Sequence, residues 1–109
     1  MGTKTYYKLV RDNVPEIISK AGRKPYVRTL DDNTYYLELR KKLQEEVDEF
    51  FSSNEDSELA DILEVLEAIA VAKGADIEVI RKIQEEKAAT HGKFVRKILL
   101  EKVEEAGDD

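Results

Sequence analysis

The sequence predicts a mainly α-helical protein: an antiparallel helical bundle of three long helices, completed by oligomerisation. Three observations lead there. Apolar residues recur every three or four positions through 33–52, 55–73 and 77–90, the spacing of a single helix face. Helix punctuation brackets these runs, with Asp31, Asp32 and Asp76 ahead of the first and third and Gly74 and Gly92 behind the second and third. Charged residues make up 39% and hydrophobic residues 41% of 109 residues, which suits one small core with a heavily solvated exterior.

In chain order, residues 1–30 read as a basic arm with one short helix. Tyr6, Tyr7, Leu9 and Val10 suit an extended stretch, and Asp12 can cap a helix that begins near Val14. Pro15 falls in the first turn, where a missing N–H costs little, and Gly22 stops the helix. After Pro25, Tyr26–Leu30 alternates aromatic and β-branched residues like a short strand. The first long helix, 33–52, aligns Tyr36, Leu39, Leu43, Val47 and Phe50 in a stripe, with Glu46 roughly 60° and Glu49 roughly 120° from its middle. Ser52, Ser53 and Asn54 are turn material.

The second long helix, 55–73, gathers Leu59, Ile62, Leu63, Leu66, Ile69 and Ala70, with Val65 and Ala72 widening one side. It is apolar over more than half its circumference, more than one chain can bury, so the bundle is expected to close against a copy of itself. The third, 77–90, sets Ile77, Ile80, Ile83 and Gln84 on its inner side. Residues 93–100 form a C-terminal arm that reads either as ordered chain or as a second strand, in which case 94–98 would pair with 26–30. The acidic tail 101–109 is expected to fray. No linker or repeat divides the chain, which reads as one domain.

Composition excludes several function classes. With no cysteine there is no disulfide or thiolate metal site, and with His91 as the one histidine there is no multi-histidine zinc site within a chain. No apolar run approaches a membrane span, and the first residues lack a signal-peptide core, so the expected location is cytoplasmic. The net charge of −6 is unevenly spread. Residues 1–29 hold seven bases against two acids, and residues 38–67 hold eleven acids against three bases. Duplex nucleic acid would call for a broad basic footprint. A basic arm beside an acidic centre suits a split ligand, phosphates for the arm and a metal for the centre, or simply two halves that attract one another.

The acidic centre has a pattern. Glu46 and Glu49 are three apart on one helix, and Glu58 and Asp61 are three apart on the next. Residues so spaced stack on a helix face. Two such helices packed antiparallel can aim four carboxylates at one point, which their mutual repulsion resists unless a cation joins them. The alternative is two surface helices with solvated acidic faces. All-oxygen ligands favour a hard ion, Mg²⁺ or Mn²⁺, and magnesium commonly completes its shell with substrate phosphate.

Glu45-Glu46-x-x-Glu49 followed by Glu58-x-x-Asp61 resembles the signature of the all-α nucleoside triphosphate pyrophosphohydrolases, the MazG-like superfamily. The opening Tyr7–Ile18 block and the segment Lys87–Leu100 resemble a small nucleotide-pool-cleansing, phosphoribosyl-ATP-pyrophosphohydrolase-like branch. Three features depart from the pattern: a short interval between Glu49 and Glu58, which implies a tight interhelical turn, Asn13 in place of a lysine, and a single glycine after His91.

The resemblance implies a mechanism and a set of roles. Glu46, Glu49, Glu58 and Asp61 would hold Mg²⁺, with Mn²⁺ as a substitute, and Glu45 would orient or deprotonate the water that attacks the α-phosphorus of a nucleoside triphosphate. Lys8, Arg11, Lys87, Lys93 and Arg96 would hold phosphates, although each also suits an ordinary surface cation and Arg11 a structural ion pair. Tyr6, Tyr7 and Phe94 suit either base stacking or the core, and His91 a helix cap. The protein would be a homodimer or a dimer of dimers. The rival functions are phosphoribosyl-ATP pyrophosphohydrolase and a non-catalytic helical interaction module of the same fold.

Overall fold

Four helices follow one another in the computed structural model, which describes residues 2–107: α1 (Val14–Lys20), α2 (Asp32–Ser53), α3 (Asp56–Ala72) and α4 (Ile77–His91). The chain divides into two units, one up to Ile77 and one from Glu78 on. Among the described residues there is no strand, and no helix is long and apolar enough to cross a membrane.

The first unit is organised by α2 and α3, which pack against each other. Asp31 starts α2 in extended conformation, and its side chain accepts a hydrogen bond from the Thr34 N–H at 2.8 Å. That bond satisfies one of the orphan donors of the first turn. It also holds the Asp31 carboxyl below its usual range. At the other end Asn54 caps the helix at φ 57, donating its N–H to the Phe50 carbonyl at 2.7 Å. Asparagine is among the few non-glycine residues that enter this left-handed region readily. Only Asn54 and Glu55 separate α2 from α3, so the pair is an antiparallel helical hairpin.

The hairpin buries Leu39 from α2 and Val65 and Ala70 from α3, with Tyr36, Leu43, Val47, Phe50, Ile62 and Ile69 half-buried around them. The α2 stripe is therefore the one its periodicity predicts. On α3 the seam runs instead along Glu58, Asp61, Ile62, Val65 and Ile69. Leu59, Leu63 and Leu66, expected in the core, remain 44%, 55% and 41% exposed. They sit roughly 100–160° around the helix from Val65. The short turn fixes how α3 rolls onto α2, and that roll brings the carboxylate edge of α3 to the seam in place of its leucines.

Helix α1 begins at Asn13, which makes no side-chain cap bond, and not at an Asp12 cap as the sequence suggests. Its Val14 N–H bonds the Arg11 carbonyl at 3.0 Å, which ties the backbone of Arg11 to the helix start. Both α1 and α3 end in a left-handed glycine. The Gly22 N–H reaches back to Ser19 and the Arg23 N–H to Ile18; Gly74 and Ala75 repeat the arrangement onto Val71 and Ala70. This paired return of bonds from beyond the helix end is the Schellman arrangement.

The β pairing of 26–30 with 94–98 does not form. Residues 26–30 run as irregular chain into the Asp31 cap, with Tyr26 and Val27 exposed. Residues 95–96 form a turn, and Lys97 has φ 60, which no strand ladder accommodates. Helix α4 runs one residue beyond the predicted 77–90, and Ile80 and Ile83, expected on its inner side, are 43% and 48% exposed. Its Thr90 hydroxyl donates to the Glu86 carbonyl at 3.1 Å and lies 2.7 Å from His91 Nδ1.

Candidate metal centre

Two overlapping sets of carboxylates stand at the α2–α3 seam. Glu45, Glu46 and Glu49 can each offer an oxygen within 4.8 Å of the others, and so can Glu46, Glu58 and Asp61. Glu46 belongs to both. All five are positioned by helix geometry: Glu45, Glu46 and Glu49 by one turn of α2, Glu58 and Asp61 by the first turns of α3, and the two groups by the Asn54–Glu55 connection.

Burial singles out Glu46. Periodicity puts it at the border of the apolar stripe, yet it is 5% exposed and is the buried charged residue among those described. Lys42, one turn earlier, approaches one of its oxygens at 3.3 Å. Its Oε2 has no hydrogen-bond partner, and neither has Oε2 of Glu58 across the seam. A buried carboxylate oxygen without a donor is costly, and native interiors seldom keep one. Together with a third carboxylate, Asp61, they form a donor set that a cation would satisfy. An oxygen set spanning no more than 4.8 Å matches opposed ligands of a hard divalent ion, whose bonds are about 2.1–2.5 Å. The donor set therefore fits Mg²⁺ or Mn²⁺.

The electrostatics agree with that reading. Burial pushes the Glu46 carboxyl above its ordinary value; Lys42 opposes this, and the charges of Glu49 and Asp61 add to it. Burial likewise raises Glu58, helped by Glu49, with which a protonated Glu58 can share a hydrogen bond, and by the charges of Glu46 and Asp61. Glu45 behaves differently. Burial would raise it too, but Lys8 at 3.1 Å and Lys42 at 3.4 Å together hold it below the usual range. The hydrogen bond to Glu45 in turn raises Lys8.

These directions give a pH prediction for the metal-free protein. Raised Glu46 and Glu58 bind protons in the fold that the unfolded chain releases. Their contribution to stability is complete below the ordinary glutamate value of 4.5 and is lost as pH rises through the raised values. The melting midpoint is expected to fall over that window, and Mg²⁺ added at neutral pH should restore it by binding the ionised carboxylates. A metal-free midpoint that climbs through the same window would contradict the assignment.

The phosphate-binding candidates divide. Lys8 lies on Glu45. Arg11 lies on Asp61 at 2.7 Å and Glu64 at 3.4 Å, across to α3 and not on its neighbour Asp12. Lys87, Lys93 and Arg96 are exposed within the second unit. Tyr6 takes the ammonium groups of Lys4 and Lys8 over its ring at 5.3 and 5.8 Å, and Tyr7 is 89% exposed. Two openings flank the carboxylates. A broad cleft of about 690 Å³ is bordered by Gln44, Glu45, Asp48, Glu49, Ser52 and Glu58. A smaller one of about 320 Å³ lies between Tyr6–Leu9 and the Glu38–Glu45 stretch of α2. Sequence reasoning missed Lys42 and Glu64. Lys42 was legible as the residue three and four before Glu45 and Glu46, and Glu64 as the next acid three beyond Asp61.

Comparison with known proteins yields little. No family model matches the chain, and no solved structure matches it. An uncharacterized protein of Mycolicibacterium smegmatis is 52% identical over 42 residues, 38% of this chain and 43% of that protein. The match thus spans less than half of the relative's length.

Proposed function

We propose that the protein is a Mg²⁺-dependent nucleoside triphosphate pyrophosphohydrolase of the cytoplasm, acting on noncanonical nucleotides, and that it works as a homodimer or dimer of dimers. The observation that carries the proposal is the pair of unpartnered buried oxygens, on Glu46 and Glu58, within one carboxylate set at the helix seam. The reaction class comes from the resemblance of Glu45–Glu49 and Glu58–Asp61 to the MazG-like signature, and the geometry is compatible with it.

Glu46, Glu49, Glu58 and Asp61 would hold the ion. Bound there, a divalent cation supplies charge neutralisation of the triphosphate and orients its α-phosphorus for in-line attack by water. The oxygen of that water bonds to phosphorus as the bond to the bridging oxygen breaks, and pyrophosphate departs, leaving a nucleoside monophosphate. Glu45 borders the broad cleft and can accept a hydrogen bond from the water, orienting it. Lys8 and Arg11 stand within reach of the carboxylates and would serve the phosphates. Positioning and electrostatics would do most of the work, without a covalent intermediate.

The oligomer is supported by the apolar face of α3. Leu59, Leu63 and Leu66 are spaced one turn apart and stay uncovered in the hairpin. Two hairpins joined through that face make a four-helix bundle, a common way to bury such a stripe. The testing experiment is a screen for Mg²⁺-dependent pyrophosphate release across canonical and modified nucleoside triphosphates and phosphoribosyl-ATP. Release from noncanonical triphosphates is expected. Cleavage of phosphoribosyl-ATP alone would move the assignment to that enzyme class. Metal binding without turnover on any nucleotide would make the chain a non-catalytic helical module.

A further inference from the structure

The basic arm does not wait in solvent for phosphate. It reaches the carboxylates. Arg11 donates from Nη2 to Asp61 Oδ1 at 2.7 Å and from Nη1 to Glu64 Oε1 at 3.4 Å, and Lys8 donates to Glu45 Oε1 at 3.1 Å. These bonds span 50, 53 and 37 residues of chain, so they are tertiary contacts and not accidents of neighbouring positions. Residues 4–10 have no regular structure of their own, and Lys8 and Arg11 tie this stretch to α2 and α3. Arg11 is also anchored through its carbonyl to the start of α1. The two cations thus sit on a member of each carboxylate set: Glu45 in the first and Asp61 in the second. The Oε2 atoms of Glu46 and Glu58 keep no hydrogen-bond partner.

We propose that Lys8 and Arg11 are internal counter-ions of the metal-free centre, which a divalent cation displaces and which are thereby released to bind phosphate. The proposal rests on the metal reading above and adds its regulation: cation binding and polyphosphate binding are coupled through the arm. A guanidinium fits this role because one planar fork can bridge two carboxylates, as it does on Asp61 and Glu64, and fits phosphate oxygens equally well. Arg11 and its partners are about half exposed, so the pairing is weak enough to exchange. A divalent ion on Asp61 repels the guanidinium and competes for the same oxygen. The released side chain then meets the ligand whose charge is opposite to its own.

The test uses the full chain and Mn²⁺ as the probe, titrated by electron paramagnetic resonance of the free ion without nucleotide. Arg11→Ala is compared with wild type and with Lys24→Ala, which removes the same unit charge from a residue whose ammonium lies over Tyr26. Arg11→Ala should bind Mn²⁺ about fivefold more tightly at low salt, the gain shrinking as salt screens the pair. Lys24→Ala should stay within about twofold of wild type, since its ammonium lies over Tyr26 and acts on the centre only as a screened charge. In parallel, the Arg11 Nε–Hε resonance of the wild-type protein should shift on saturation with Mg²⁺. Inorganic triphosphate should bind the Mg²⁺-loaded wild type more tightly than the metal-free protein, and Arg11→Ala should lose most of that gain. Mn²⁺ binding in wild type with no change in Arg11→Ala, or an Arg11 resonance indifferent to Mg²⁺, overturns the counter-ion role while leaving the metal centre standing. Absence of Mn²⁺ binding in wild type overturns both.

Discussion

Replacing Glu46 with glutamine should reduce pyrophosphate release by about a thousandfold or more and at the same time stabilise the metal-free protein. Both effects come from one side chain. Glu46 is shared by the two carboxylate sets, so losing its charge weakens every arrangement that could hold an ion at the seam. Its burial, with one oxygen unpartnered, makes the ionised form a liability when no cation is bound. Glutamine keeps the volume and removes the charge. The expected gain is about 1–2 kcal/mol, the scale of relieving an unsatisfied buried polar group. Lys42 keeps Glu45 as a partner and is not stranded. Opposite signs for turnover and stability distinguish a functional carboxylate from a structural one. A structural Glu46 would lose stability on replacement, and a solvated one would change neither. Urea denaturation with and without Mg²⁺ reads the second sign directly.

Leu63→Asp should convert the proposed oligomer to monomers while leaving each hairpin folded. Leu63 is 55% exposed in the single chain, so aspartate there costs the hairpin little. In a twofold interface the same substitution occurs twice. It removes about 1 kcal/mol of apolar burial per half-covered leucine and places two like charges face to face in a desolvated seam. Sedimentation equilibrium should show the wild type at a multiple of the chain mass and the variant at a single chain mass, with helical circular dichroism retained in both. A wild type that sediments as a monomer at tens of micromolar would remove the oligomer from the proposal. So would a variant of unchanged mass.

The helices were legible from the sequence because their signals are local. Asp31, Asn54, Gly74 and Gly92 mark ends through backbone conformation and capping, which neighbours in sequence decide, and α2 buries the very stripe its periodicity draws. That no strand forms at 26–30 or 94–98 was not legible, because alternation over five residues says nothing about a ladder partner, and Lys97 takes a conformation that prevents one. The facing of α3 was half legible. Its apolar circumference is too broad to choose a seam, and the choice falls to the length of the Asn54–Glu55 connection, which rolls Asp61 and Val65 inward and Leu63 outward. The carboxylates could be grouped by spacing alone. The depth of Glu46 could not, since it depends on how closely α3 approaches. Nor could the placement of Lys8 and Arg11, whose partners lie 37 to 53 residues away.

The central claim is that Glu46, Glu49, Glu58 and Asp61 form a divalent-cation centre. Isothermal titration of the nucleotide-free protein with MnCl₂, wild type beside Glu46→Gln, tests it most directly. The claim predicts saturable binding in the wild type, accompanied by proton release as the raised carboxyls ionise, and its loss in the variant. Heats of dilution alone in the wild type, or an isotherm that the variant reproduces, would contradict it.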